Sequence, residues 1–122
     1  MPAGDAIAVN PTTGDLTYDS DLVTAGGTVS TATLANVTGS SSSVTIFAAN
    51  SAARGRMVAN DSTAILYLKF GSAAASTTSF TVALAGTGGG VAQYYEFPVP
   101  VYTGAVTGIW ASATGAARTT EV

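Results

Sequence analysis

The segment AILYLKF, residues 64–70, indicates the fold class of this chain. Leu66, Leu68 and Phe70 share one face of an extended strand, because successive side chains of a strand point to opposite sides. The other face carries a mixed set that includes Lys69, which suits contact with water. The segment therefore predicts a β-strand whose two leucines and phenylalanine face a core.

Similar short runs recur on both sides of this segment and are separated by turn residues. Short apolar runs bounded by Gly, Ser and Asn at regular spacing are typical of a sandwich or barrel. The further predicted strands cover residues 44–48, 56–60, 80–84, 93–97, 105–111 and 116–122.

The 23 alanines offer a competing interpretation, because alanine favours helix. They alternate, however, with Thr, Ser, Val and Gly, while the Glu, Lys and Gln of a helix surface are scarce. We therefore expect an all-β chain, with a small β-sandwich or jelly-roll-like domain and an extended N-terminal arm.

The arm is predicted from a change in composition along the chain. Residues 1–43 are rich in Asp, Thr, Ser, Gly and Ala and end in the linker-like run Gly39–Ser43. Residues 44–122 carry the strand pattern and form the predicted sandwich domain. The extended patches at residues 6–9, 21–23 and 31–34 are too short to support themselves, so if they are ordered, something outside the arm orders them.

Charge excludes some classes of partner. Charged residues make up 9% of the chain and its net charge is −3, so it lacks the basic surface that nucleic-acid binding requires. No apolar run approaches the ~18 residues of a membrane helix, and the start has no basic region before an apolar one. We expect neither nucleic acid nor membrane as a partner.

Catalytic chemistry has few candidate residues. The chain contains no His and no Cys, so only Lys69 or a carboxylate could activate a nucleophile. A glycosidase needs two carboxylates, and the predicted domain offers Asp61, Glu96 and Glu121 beside polar turn or strand-edge residues. We therefore expect no catalytic residue and a protein that is not an enzyme.

Metal and cofactor sites are also not expected. Asp15, Asp19 and Asp21 supply oxygen ligands that suit calcium, but their spacing does not match an EF-hand loop. The run Gly86–Gly90 lacks the Lys and Ser/Thr of a phosphate loop and is interpreted as a flexible turn.

The segment Tyr94–Trp110 holds five of the ten aromatic residues. One hypothesis is that Tyr94, Tyr102 or Trp110 stack on a sugar. The other is that the aromatics fill a core, since each buries ~150–250 Å² and an alanine-rich chain has few alternatives. Pro98 and Pro100 predict an irregular or edge segment between two strands.

An ordered set of motifs resembles a small β domain that recurs in structural proteins of tailed bacteriophages. The motifs are NDS at residue 60, LYLKFG at 66, TSFTV at 78, YYEFP at 94, VYTG at 101, GIW at 108 and GAAR at 115.

This resemblance implies a capsid decoration (cement) protein in the virion. Such a protein would sit on the head as a homotrimer, with the major capsid protein or other virion subunits as partners and an arm reaching its neighbours. The alternatives are a tail, baseplate or head-fibre component and a carbohydrate-binding surface module.

Overall fold

The structure, a computed structural model, describes the backbone of residues 7–9 and 16–18 together with residues 28–87 and 92–122. The chain divides into two compact units, residues 1–30 and 31–122. In the first unit, β1 (Ile7–Val9) pairs antiparallel with β2 (Leu16–Tyr18). The rest of the predicted arm before residue 28, with its patch at 21–23, lies outside the described residues.

In its described residues, the second unit is built from two antiparallel sheets of four strands each. Sheet I has the order β3-β10-β5-β8 and sheet II the order β4-β9-β6-β7. The strands are β3 (Thr33–Thr38), β4 (Val44–Phe47), β5 (Arg56–Asp61), β6 (Leu66–Phe70), β7 (Val82–Leu84), β8 (Gln93–Glu96), β9 (Val106–Trp110) and β10 (Ala116–Glu121).

The strands pair in a nested order. The first pairs with the last (β3 with β10), the second with the second-last (β4 with β9), and so on through β5 with β8 to β6 with β7. This nesting, spread over two facing sheets, is the jelly-roll arrangement. The all-β class is thus confirmed, and the described residues contain no helix.

All seven strands predicted from residue 44 onward are present. Leu66 and Leu68 are fully buried, and Phe70 packs against the core, as the alternation along 64–70 predicts. Pro98 and Pro100 lie in the irregular segment after edge strand β8, and the Val99–Pro100 peptide is cis.

The boundary of the sandwich differs from the predicted position at residues 43/44. β3 lies within the range assigned to the arm, and its whole length pairs with β10. Gly39–Ser43 is therefore the connection between two strands of the sandwich rather than a linker before it. All but one side chain of β3 is exposed, so an apolar alternation is missing from its sequence.

The core lies between the sheets and is centred on Trp110. Val106, Gly108 and Trp110 share the inner face of β9. A Cβ at Gly108 would lie 2.7 Å from Ile46 Cγ1, so the absence of a side chain there lets Ile46 and Leu66 close over the strand. Trp110 is 1% exposed and fills the space beside it.

A buried amide joins this core to the loops around it. Trp110 Nε1 donates to Asn60 Oδ1 at 3.1 Å, and Asn60 Nδ2 donates to the carbonyls of Ala64 and Ala85 at 2.9 and 3.0 Å. Asn60 is completely buried, and in the described part of the chain no buried side-chain nitrogen or oxygen lacks a partner. These bonds hold the ends of β6 and β7 against β5.

Candidate functional site

The outer face of sheet I is open to solvent and carries large apolar side chains. Along β5 and β10, the residues of this face alternate with buried residues that point to the core, namely Val58, Asn60, Ala117 and Thr119. We call it the bare face, and it consists of Leu34, Asn36, Met57, Ala59, Asp61, Tyr94, Glu96, Arg118 and Thr120. Leu34 is 73% exposed, Tyr94 64% and Met57 39%.

The register of sheet I arranges these residues in rows across the strands. One row runs from Leu34 through Thr120 and Met57 to Glu96. The next row runs from Asn36 through Arg118 and Ala59 to Tyr94. The apolar side chains therefore stand on both edge strands and on β5, with polar groups between them.

The charges on this face largely compensate one another. Arg118 Nη2 lies 2.9 Å from Asp61 Oδ2, and Arg118 Nε donates to the same oxygen at 3.0 Å. Both side chains are about half exposed, so this pair contributes little to stability. Its effect is to present a nearly neutral surface, with Glu96 as the additional charge.

An open cleft of about 310 Å³ lies at one end of the bare face. Met57, Glu96 and Thr120 of the face form one side of it. Val99, which is 89% exposed, belongs to the irregular segment after β8 and forms another part of the lining. The remaining lining residues are Arg54, Gly55, Arg56, Phe97 and Val122.

Arg56 holds the end of the sandwich beneath this cleft. Its side chain is fully buried, and Nε donates to Glu121 Oε2 at 2.7 Å. Nη1 donates to the carbonyls of Tyr102 and Gly104 at 2.9 and 2.7 Å, and Nη2 to that of Ala48 at 2.8 Å. These bonds join β5, the β8–β9 connection, the end of β4 and β10.

Sequence reasoning did not single out Arg56, because a charged residue at a strand start is usually exposed. A signal was present, however: Arg56, Val58 and Asn60 alternate on one face of β5, and Val58 is a core residue. The guanidinium also lies 5.0 Å from the ring centroid of Phe47, which adds a cation–π contact.

The outer face of sheet II, in contrast, is partly covered by the β6–β7 loop, residues 71–81, although Thr45 of β4 and Ala83 of β7 stay exposed. We call it the covered face. Thr107 Oγ1 donates to Ala73 O at 2.8 Å, and Lys69 Nζ donates to Ser79 Oγ at 2.9 Å. Phe80 packs on Tyr67 with a centroid distance of 4.9 Å. Thr107 is buried as a result, although its side chain points away from the core.

The aromatic residues of Tyr94–Trp110 separate into two groups. Trp110 and Phe97 are core residues, and Tyr95 and Tyr102 pack against that core, with Tyr102 stacked on Phe70 at 4.7 Å. The core hypothesis is therefore confirmed for these four. Tyr94 alone of the five stands on the bare face, so of the proposed sugar-stacking residues Trp110 is not accessible and Tyr102 is engaged in the core.

The structure does not bring the candidate catalytic groups together. Asp61 pairs with Arg118 on the outer face of sheet I, while Glu121 pairs with Arg56 on the inner face. Glu96 lines the cleft, and Lys69 lies on the other sheet under the β6–β7 loop. Asp15, Asp19 and Asp21 lie outside the described residues, as do residues 88–90 of the predicted glycine-rich turn.

The described residues contain no group of three or more His, Cys, Asp or Glu side chains that could hold a metal ion. None of their elements is a helix long and apolar enough to span a bilayer. Comparison of the chain with protein-family models, curated proteins and solved structures finds no significant match.

Proposed function

We propose that this chain is a non-enzymatic structural subunit of a tailed-bacteriophage virion, and specifically a decoration protein that stabilises the head. It acts in this proposal as a homotrimer whose partners are the major capsid protein or other virion subunits. The resemblance of the motifs supports the class of protein. The structural observation that carries the proposal is the bare face, a nearly neutral surface with three large exposed apolar side chains.

The composition of the bare face suits contact with another protein. Aromatic residues, Met and Arg are enriched at protein interfaces, and the bare face offers Tyr94, Met57 and Arg118. Jelly rolls occur in capsid and lectin domains alike, so the fold alone does not choose the function.

The proposal is tested by rebinding the protein to particles that lack it. Purified wild-type chain should bind such particles and raise the temperature at which they release DNA. Tyr94→Asp and Met57→Asp should weaken binding at least about tenfold, because a carboxylate would be transferred from water into the contact. Thr45→Asp, at an exposed position of β4 in sheet II, is the matched control and should bind like the wild type. Equal binding of all variants contradicts the proposal.

The arm enters the proposal as an anchor that reaches neighbouring subunits. Residues 1–21 contain four Asp and no basic residue, which suits a basic partner surface. Truncation must spare β3, so the informative variant lacks residues 1–30. We expect it to fold, because the core lies in residues 31–122, and to lose incorporation into particles. Full incorporation of this variant contradicts the anchor.

A tail, baseplate or head-fibre position is the alternative within the same class. A low-resolution density map of intact particles distinguishes these positions directly. Density for this domain on the head lattice supports a decoration protein. Density confined to the tail, the baseplate or a fibre contradicts that assignment and supports a component of that structure instead.

A carbohydrate-binding module is the second candidate function, and Tyr94 is the observation that favours it. Tyr94 is 64% exposed on the sheet face, so its ring is available for stacking on a sugar. Tyr94→Ala should then abolish binding to an array of bacterial surface glycans and leave the melting temperature unchanged. Tyr94→Phe, which keeps the ring, should retain binding. An array without any binding to the wild type excludes this candidate.

A further inference from the structure

The four edge strands of the sandwich differ in how they are protected against pairing with another chain. Natural proteins shield sheet edges with short strands, bulges, charges or prolines. β7 has three residues, and β4 has an irregular register between Thr45 and Phe47. β8 carries Glu96 and is followed by Pro98 and Pro100.

β3 has none of these protections. It is six residues long, its sequence TLANVT contains no charge and no proline, and its register with β10 is continuous. Its opposite edge has no paired strand among the elements that the structure describes. β3 is thus the edge of the sandwich most suited to strand addition.

The direction of the backbone groups of β3 follows from one hydrogen bond. Gly39 N donates to Gly115 O at 2.8 Å, and these two residues continue the β3–β10 register. Because bonded and non-bonded pairs alternate in an antiparallel ladder, Ala35 and Val37 bond to β10. The N–H and C=O groups of Leu34, Asn36 and Thr38 therefore point to the free edge.

We propose that two copies of this chain pair through β3, antiparallel and about a two-fold axis at Asn36, to join their sheets I into one continuous sheet. In this register Asn36 faces Asn36 of the second copy, and Leu34 faces Thr38. Each facing pair exchanges both of its N–H···O=C bonds, which satisfies every outward-pointing group of β3. A two-fold axis at Ala35 or Val37 leaves one of the three residues without a partner.

A second copy fits this edge for electrostatic and geometric reasons. An antiparallel strand is complementary to itself about a two-fold axis, as isologous contacts require. The edge carries no charge, so two copies approach without repulsion, whereas pairing through β8 brings Glu96 of both copies to the contact. The contact also places the exposed Leu34 beside the second copy. The inference concerns the free chain and does not depend on the proposed function.

Asn36→Pro is the test, because it removes an N–H that points to the free edge and no bond to β10. Proline is tolerated at such a position of an edge strand. Sedimentation of the full-length chain should give about half the wild-type assembled mass for Asn36→Pro, because each β3 contact joins two copies. Asn36→Lys, which puts like charges side by side at the axis, should have the same effect and serves if proline unfolds the edge.

Cross-linking reports the register. The chain has no cysteine, so Asn36→Cys introduces a single thiol that faces its own copy across the axis. A short bifunctional thiol reagent should link this variant into dimers several times more than it links Thr45→Cys, at an exposed position of β4. Amide exchange of Leu34, Asn36 and Thr38 should slow as wild-type concentration rises.

Two results overturn the inference. One is an equal mass for wild type, Asn36→Pro and Asn36→Lys, with cross-linking of Asn36→Cys no greater than that of Thr45→Cys. The other is slow exchange of the three amides in a wild type that already has the lower mass, since another part of the chain then occupies the edge.

Discussion

The two outer faces of the sandwich have the same backbone architecture but differ in how much of each face a loop of the domain covers. On the covered face, loop 71–81 lies over the strands and buries Thr107, whose hydroxyl donates to Ala73 O. On the bare face, Leu34 and Tyr94 remain exposed on the two edge strands. Sheet II therefore brings its own cover, whereas any cover of sheet I comes from outside the described domain.

The difference originates in loop length rather than in strand sequence. Both faces carry aromatic and aliphatic side chains, Tyr67 and Ile109 on one and Tyr94 and Met57 on the other. The β6–β7 connection is long enough to fold back over sheet II and supplies Phe80 for the contact with Tyr67. The outer face of sheet I has no such loop over it in the described residues, so its side chains are available for contact with a partner.

The largest expected effect is on the free energy of unfolding. It distinguishes a core residue from a bare-face residue within the segment Tyr94–Trp110. Trp110→Ala should lower the free energy of unfolding by about 3–5 kcal/mol, because it empties a core site and leaves Asn60 Oδ1 without its donor. Tyr94→Ala should change it by less than ~0.5 kcal/mol. Urea denaturation measures both, and a comparable loss for Tyr94→Ala means that the bare face stabilises the domain itself.

The second effect concerns the residue beneath the cleft of the bare face. Arg56→Lys keeps the charge but cannot reproduce a planar group that reaches Glu121 and three carbonyls, so we expect a loss of about 2–3 kcal/mol. Arg118→Lys, at an exposed position of the same sheet, is the control and should be nearly neutral. Equal effects in thermal denaturation contradict the anchoring role of Arg56.

The third effect removes a contact that covers sheet II. Thr107→Val is nearly isosteric and deletes the bond to Ala73 O, which should cost about 1 kcal/mol. Amide exchange in loop 71–81 should accelerate as well. Thr45→Val faces the same side of the sheet but is exposed, and we expect no change there. If amide exchange in loop 71–81 is unchanged in Thr107→Val, the Thr107 hydroxyl does not hold this loop against sheet II.

The smallest effect concerns the ion pair on the bare face. Arg118→Gln removes the contact with Asp61, and both side chains are about half exposed. We expect a loss below ~0.5 kcal/mol that disappears at high salt, because exposed charges are screened. Denaturation at low and high ionic strength measures this. A loss above 1 kcal/mol that persists in salt assigns the pair a larger structural role.

The strands that form the core could be predicted because their alternation reflects burial on one side. Leu66 and Leu68 on β6 and Val106 and Trp110 on β9 are buried as their spacing predicts. β3 could not be recognised in the same way, because almost all of its side chains are exposed. Backbone hydrogen bonds to β10, which lies far away in sequence, fix the position of β3. Such bonds do not depend on residue type, so the sequence does not reveal them.

The features of the candidate site were only partly accessible from sequence. The aromatic cluster was recognised, but its division into Tyr94 outside and four residues in or against the core depends on which strand face each occupies. The cover of sheet II was not predicted, since the Ala, Ser and Gly of loop 71–81 resemble a flexible connection. Its contacts join side chains to distant carbonyls, and composition carries no information about them.

The central position of β10 in sheet I has a consequence for biosynthesis. β10 is the last strand in chain order, yet it lies between β3 and β5 and is the sole described partner of β3. During translation, the earlier strands leave the ribosome with a gap in the middle of this sheet. The sandwich therefore closes only after residues 116–121 have emerged, so the nascent chain must remain soluble until its synthesis has passed that point.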